Sequence, residues 1–194
     1  MDISQSDDVV LIQDTLAGNK SSFAILINKY KSKIFNLCYR MLNNYHDAED
    51  ISQEAFLRAY KKLDEFKVSQ KFQNWLYTIA INLCRNKLKR DNLVKFISID
   101  KKITDEDDDI PFEIADESQT PEKYLIRMEE KNRIRYLVHS IPVKYRTVFL
   151  LRYVEGLSYK EISEITGLPV GTVETWLFRA KKVVLKNAEI FYSA

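Results

Sequence analysis

Glycine and proline are scarce in this chain, four of each in 194 residues, so few tight turns are available. Cysteine is scarcer still. Cys38 and Cys84 are the only two, both lie in apolar helical patterns, and neither has a Cys or His at metal-ligand spacing. They read as reduced core thiols. His46 and His139 stand alone, which suits surface or packing residues. No stretch approaches the roughly 18 consecutive apolar residues of a membrane span. The N-terminus, MDISQSDD, is acidic and lacks the basic-then-apolar order of a signal peptide. The expectation is a cytoplasmic protein. There is no P-loop, metal cluster or nucleophile–base pair, so neither a catalytic centre nor a cofactor is expected.

What the chain has is charge and apolar periodicity. Charged residues make up 30% and hydrophobic residues 45%. The net charge of +2 hides an uneven distribution. Residues 1–90 hold 14 basic and 10 acidic groups, residues 91–120 hold 3 and 10, and residues 121–194 hold 13 and 8. Two basic bodies, net +4 and +5, thus flank an acidic segment of net −7. Basic bodies suit nucleic acid, although a single charge run is more often only a solvated face.

Abundant Leu, Ile, Lys and Glu favour helix, and the periodicity predicts an all-α chain. Residues 7–17 form a short amphipathic helix. Residues 21–42 form a longer one, with Ser21 or Ser22 near its cap and Phe23, Ile27, Tyr30, Ile34, Leu37 and Met41 on one stripe. Asn43 and Asn44 break it. A third helix, capped by Asp47, runs to about Phe66 with Ile51, Ala55, Phe56 and Ala59 on one side. A fourth, capped by Ser69, runs from Lys71 to about Arg90 with Phe72, Trp75, Leu76, Ile79, Ala80 and Leu83. Residues 91–120 lack sustained periodicity, are interrupted by Pro111 and contain the run Asp105 to Asp109. They read as a flexible linker. Helix resumes at Thr120-Pro121 with Tyr124, Leu125, Met128, Ile134 and Leu137 inward, and again from Pro142 to about Val154.

The sharpest local signal is LSYKEISEITGLPVGTVETWLFRAKK, residues 157–182. Ser158 and Glu161 make a capping box. Thr166-Gly167 supplies the turn, Leu168 packs inward and Pro169 opens the next helix. Val173, Leu177 and Ala180 face the core, leaving Thr172, Thr175, Trp176 and Arg179 outward, as a major-groove recognition helix requires. Gly171 permits close approach of a phosphate at the helix N-terminus. A capped hairpin is common in itself, but the tail of Arg179, Lys181, Lys182 and Lys186 favours DNA contact.

The two ends combine into a family pattern. DAEDISQEAFLRAYKKLDEF (47–66), followed by KFQNWLYTIAINLCRNKLKR (71–90), resembles the second conserved region of bacterial sigma factors. Residues 157–182 resemble their fourth region, with L-P-x-G-T-V intact from Leu168 to Val173. Order and spacing are similar to those of the extracytoplasmic-function (ECF) group. The resemblance covers residues 7–90 and 121–187.

The resemblance implies two helical domains, residues 1–90 and 121–194, joined by the acidic linker. It implies a non-enzymatic initiation factor that directs core RNA polymerase to promoter DNA. Asp47, Glu49, Asp50, Gln53, Glu54 and Arg58 correspond to a surface that docks on the clamp helices of the largest polymerase subunit. The fourth region corresponds to one that meets the flap of the second subunit. Lys67, Ser69, Gln70, Lys71 and Asn74, with Arg85 and Lys89, correspond to single-strand contacts at the minus-ten element. Phe72, Trp75 and Tyr77 offer rings for stacking on unpaired bases, Trp75 being more often core than not. Gly171, Thr172, Glu174, Thr175, Trp176, Arg179 and Lys182 correspond to the duplex reader at minus thirty-five. An anti-sigma partner, often membrane-bound, is implied too, and so is a linker threaded through polymerase. The chain departs from the family at Ile81 and Asn86, where Arg and Asp are common, and at Glu174 and Trp176, where Lys and Arg are typical. An acidic residue at 174 either reads a cytosine amino group or repels phosphate. The rival reading, an autonomous helix-turn-helix regulator that never binds polymerase, accounts for residues 121–187 and leaves the first helices unexplained.

Overall fold

The computed structural model describes residues 3–97 and 121–192. Of the linker expected over residues 91–120, residues 98–120, Thr120 included, lie outside the described residues, as do the side chains of Tyr124 and Leu125; residues 91–97 are helical, not linker. Every described element is helical: α1 (Ile3–Leu16), α2 (Lys20–Leu42), α3 (Tyr45–Lys61), a 3₁₀ turn (Leu63–Glu65), α4 (Phe72–Ile97), α5 (Pro121–Ser140), α6 (Val143–Tyr153), α7 (Tyr159–Thr166) and α8 (Val170–Tyr192). The chain divides into two compact units, the first built on α1 to α4 together with Ser163–Gly167, and the second on α5, α6, the start of α7 and α8. No described helix is long and apolar enough to cross a membrane.

In the first unit α2 packs against α1, α3 and α4. Its stripe buries Phe23, Leu26, Tyr30, Ile34, Leu37, Cys38 and Met41, while Ile27 is half-buried. Opposite them lie Ile51, Ala55, Phe56 and Ala59 of α3, and Phe72, Leu76, Ala80, Ile81, Leu83 and Cys84 of α4, all buried. Each fully buried large aliphatic contributes roughly 1.5–3 kcal/mol. The Cys38 and Cys84 thiols meet in this core. Their mutual hydrogen bond, and then burial, push the Cys38 thiol well above its ordinary range, which keeps it protonated and unreactive. Ile81 is fully buried, which explains an apolar residue where the family often has a cation.

Two carboxylates fasten α1. Asp8 is buried and accepts hydrogen bonds from Lys29 Nζ (2.7 Å) and the Tyr30 hydroxyl. Burial, then the bond to Asp8 and its charge, raise the Tyr30 phenol so that it stays a donor. Asp14 accepts from Ser22 Oγ at 2.7 Å and Asn19 Nδ2 at 3.0 Å. A buried carboxylate is tolerable only when paired in this way.

Asparagines, not serines, punctuate the helices. Asn19 caps α2, its side-chain oxygen accepting the Ser21 N–H. Asn43 ends α2 with φ of 57°, a left-handed conformation asparagine tolerates. Asn44 then caps α3 by accepting the Asp47 N–H at 2.9 Å. Ser21, Ser22 and Asp47 are therefore helical residues and not caps. Ser69 lies in the turn closed by Gln70 N–H to Lys67 O, three residues before α4 begins. The fourth helix also continues to Ile97, past the boundary expected at Arg90. The first helix begins at Ile3, ahead of the expected residue 7.

In the second unit α8 packs on α5 and α6. The connection from α5 to α6 is held by Arg146, which is buried although charged. Its Nη2 donates to His139 O at 2.6 Å and its Nε to Ile141 O at 3.2 Å, satisfying carbonyls at the end of α5 that the helix leaves without partners. Burial lowers the Arg146 guanidinium to about 10, still charged near neutrality. Pro142 is the N-cap of α6. Ile134, expected inward, is 61% exposed, while Met128 and Leu137 are half-buried.

Removing the guanidinium strands those carbonyls. Arg146→Met is expected to cost about 1.5–3 kcal/mol, read as a lower denaturation midpoint; an unchanged midpoint refutes the bracing role. His139 gives a pH signature. Burial, then the charges of Arg146 and Arg135, push its imidazole from 6.5 down to about 4. The unfolded chain therefore takes up this proton first. Stability of the second unit should fall as pH drops from 6.5 towards 4, and His139→Gln should flatten that slope in melts taken across this range.

Candidate nucleic-acid and partner-protein interfaces

The helix-turn-helix is built as its sequence indicates. Ser158 N–H donates to Glu161 Oε2 at 2.9 Å, and Glu161 N–H donates to Ser158 Oγ at 3.2 Å, closing the capping box. Gly167 turns the chain at φ of 69°. Pro169 O accepts from Val173 N–H at 3.1 Å, starting α8. Val173, Leu177 and Ala180 are buried, as are Ile162 and Ile165 of α7; Leu168 is half-buried.

The other side of α8 presents Gly171, Glu174, Thr175, Arg179 and Lys182 exposed, with Thr172 and Trp176 half-buried. A Cβ at Gly171 would meet nothing within 4 Å, so the surface there is open. The Thr175 hydroxyl donates to Gly171 O at 2.8 Å, which leaves the lone pairs of its oxygen as acceptors. Trp176 is less free than its sequence position implied. Its ring lies edge-on to Tyr145 of α6, centroids 5.7 Å apart at 73°. Arg179 Nη1 donates to the same Tyr145 hydroxyl at 3.0 Å. The sequence reading missed Tyr145, although Tyr145, Phe149 and Tyr153 recur every four residues along α6. It also missed Phe178, an aromatic off the buried stripe that is 70% exposed.

The turn between the 3₁₀ segment and α4 rests on an aromatic cluster. Phe66 meets Phe72 at 5.7 Å and Trp75 at 5.4 Å, and Phe72 meets Trp75 at 5.8 Å. Phe66 and Phe72 are buried; Trp75 is half-buried and keeps an accessible part. Above them Lys67, Val68, Ser69 and Lys71 are exposed and Gln70 is half-buried. Asn74 is buried instead, and so are Phe72 and Tyr77. The Tyr77 hydroxyl accepts from Gln73 Nε2 at 2.8 Å. Arg85 is half-buried and desolvation lowers its guanidinium. At about 1.5 Å per residue, Arg85 and Lys89 stand roughly 21 and 27 Å along α4 from Lys71, so the helix does not gather them at the turn.

On α3, Glu49, Asp50 and Gln53 are exposed. Asp47 pairs with Lys87 of α4 at 2.8 Å and, as the first of several causes, raises that ammonium. Glu54 pairs with Arg58 one turn on at 2.6 Å. Leu57, 47% exposed, stands one turn from Gln53 and Lys61 and so places an apolar side chain amid polar ones. The described residues contain no group of three or more His, Cys, Asp or Glu placed to hold a metal.

Comparison with known proteins places these surfaces in a family. The family model for Sigma-70 region 2 matches residues 26–93, and that for Sigma-70 region 4 matches residues 131–184. The ECF RNA polymerase sigma factor SigW of Bacillus subtilis is 39% identical over 176 residues, covering 91% of this chain and 94% of that protein. The RNA polymerase sigma-H factor of Pseudomonas aeruginosa is 32% identical, covering 95% of each. The structure of CnrH in complex with the cytosolic domain of CnrY shares the fold at a TM-score of 0.69 and 21% identity, covering 95% of this chain and 98% of CnrH. The sigma factor RpoE of Bartonella quintana, in complex with the anti-sigma factor NepR, does so at 0.68 and 17%, covering 87% and 97%. With both regions matched in order, and near-full-length relatives above 30% identity, this chain belongs to the sigma-70 family of RNA polymerase sigma factors, in its extracytoplasmic-function group.

Proposed function

We propose that this chain directs core RNA polymerase to specific promoters and starts transcription there without catalysing a reaction of its own. The observation that carries the reading is the pairing, in one chain, of a helix-turn-helix whose outward face is polar with a separate helical unit whose aromatic cluster underlies an exposed polar turn. An autonomous regulator has use for the first and none for the second.

Within that reading, the first unit through the end of α4 at Ile97 is the polymerase-binding and minus-ten unit, residues 98–120 connect it onward, and residues 121–194 are the minus-thirty-five unit. The α8 residues Gly171, Thr172, Glu174, Thr175, Arg179 and Lys182 meet duplex DNA. Lys67, Ser69, Gln70 and Lys71, with the accessible part of Trp75, hold the displaced strand, because a ring stacks on any base and cations follow the backbone. On α3, Glu49, Asp50, Gln53 and Leu57 meet the polymerase. Anti-sigma control is part of the proposal by analogy with the Bartonella protein, as is a cytoplasmic location.

The test is run-off transcription with purified core polymerase over genomic fragments. Discrete transcripts that vanish when the chain is omitted are expected. Absence of such transcripts together with absence of co-purification with the core refutes the reading. Selection of duplexes by the holoenzyme then resolves the roles on α8. Thr175→Ala is expected to relax preference at one base pair by about 1–3 kcal/mol. Arg179→Ala should weaken all sequences alike and reduce the salt slope by about 0.9. An unaltered base preference for the Thr175 variant contradicts its placement at a base edge.

A further inference from the structure

The turn from 67 to 71 is braced by a helix much earlier in the chain. On α1, Asp8, Ile12 and Thr15 are buried along one line. The same helix contacts both the 3₁₀ segment that leads into the turn and α4, which leaves it. One side-chain route runs from α1 to the end of the turn. The Asp8 carboxylate takes one bond on each oxygen, from Lys29 Nζ at 2.7 Å on Oδ1 and from the Tyr30 hydroxyl on Oδ2. The Tyr30 ring meets the Phe72 ring at 5.7 Å, tilted by 54°. Phe72 opens α4 directly after Lys71 and meets Phe66 and Trp75 in its turn.

Tyr30 is 4% exposed and Phe72 1%, so neither ring has room to relax into solvent. A close-packed interior passes a displacement from one side chain to the next. The bond to Asp8 fixes the far end of the Tyr30 ring, and that ring is a wall of the pocket that holds Phe72. Phe72 in turn sets where the turn ends, and Trp75, which keeps an accessible part, packs on the same ring. Asp14 supplies a contrast on the same helix. It fastens α1 to α2 through Ser22 Oγ at 2.7 Å and to Asn19 Nδ2 at 3.0 Å. Neither partner belongs to the aromatic cluster.

We propose that Asp8 and Tyr30 are positioning residues for the minus-ten strand: they act through Phe72 to hold the turn from 67 to 71 and Trp75 in the arrangement that receives it. The inference rests on the reading that this turn holds the displaced strand. Neither residue touches DNA. The first helix thereby acquires a part in strand capture separate from its part in stability.

The experiment uses holoenzyme reassembled from core polymerase and the full chain. The probe is a fluorescent single-stranded oligonucleotide carrying the minus-ten element of a promoter recovered by run-off mapping. Core affinity is measured alongside by competition with labelled wild-type chain. Tyr30→Phe keeps the ring and removes only its anchor. It is expected to weaken strand binding about three- to tenfold at unchanged core affinity. Asp8→Ala should do the same, and adding Tyr30→Phe to it should cost nothing more. Asp8→Asn keeps an acceptor of the same shape and should restore binding, and Asp14→Ala should hold the strand as wild type does. Should Asp8→Ala melt too low to assay, Tyr30→Phe decides alone. If Tyr30→Phe binds the strand as wild type does, if Asp14→Ala weakens it equally, or if core affinity falls in step, the two residues are only structural and the inference is overturned. A chain carrying Lys67→Ala with Lys71→Ala separates the other failure. If it too binds the strand as wild type does, the reading of the turn falls, and the positioning role with it.

Discussion

The buried guanidinium of Arg146 fixes how α6 is turned about its own axis, and the outward face of the second unit follows from that. A charged group in this setting is stable only with its donors occupied. The carbonyls of His139 and Ile141 occupy them, and they lie at the end of another helix, so the rotation and the α5–α6 turn are set together. Adjacent helical residues point about 100° apart. With Arg146 directed inward, Tyr145 is held to the side of α6 that meets Trp176 and Arg179. The buried cation and the exposed cations are thus two results of one geometric choice.

A comparable constraint shapes the first unit. Phe66 and Phe72 bracket the turn from 67 to 71, and both are buried against neighbours that include Tyr30 and Trp75. Anchoring both ends of a short loop leaves its middle exposed, and on the proposed reading that arrangement lowers the ordering cost of presenting polar groups to a strand. The ion pairs on α3 act differently. Glu54 is committed to Arg58 and Asp47 to Lys87, so a partner docking there either accepts these pairs intact or must replace them. The exposed Glu54–Arg58 pair is worth about 0.2–1 kcal/mol, low enough for a partner's cation to exchange with Arg58, whereas Asp47 and Lys87 are half-buried and Lys87 also reaches Asp91.

Much of this was legible in the sequence, because apolar spacing and capping chemistry are local signals. The stripes of α2, α3 and α4, the Ser158–Glu161 box and the turn at Gly167 depend on residues within one or two turns of each other. What was missed depends on distant partners. Nothing near Asn19 or Asn44 distinguishes them from the Ser and Asp that compete for the cap; the choice is made where the preceding helix ends. Asp8 carries no local sign that Lys29 and Tyr30 will enclose it. Asn74 and Tyr77 looked available because polarity was taken for exposure, and the packing of α4 turned them inward. Tyr145 stayed hidden because its partners are more than thirty positions away.

The same distant contact bears on how the recognition helix departs from its family. On the proposed reading, Glu174 and Trp176 leave the base-facing turns of α8 without the cations the resemblance implies there, while the exposed Arg179 and Lys182 stand further along the helix. Binding to arbitrary duplex scales with the number of phosphates neutralised; discrimination comes from groups at base edges. On the proposed reading, moving charge from the centre of the interface to its edge lowers attraction for any duplex at the groove floor. The Glu174 carboxylate adds a penalty unless a cytosine amino group receives it. Trp176, held by Tyr145, costs little to order because its position is already set by packing. An interface of this kind gains selectivity by being poor at holding wrong sequences, and it leaves affinity to the phosphate contacts at its rim and to the polymerase that carries it.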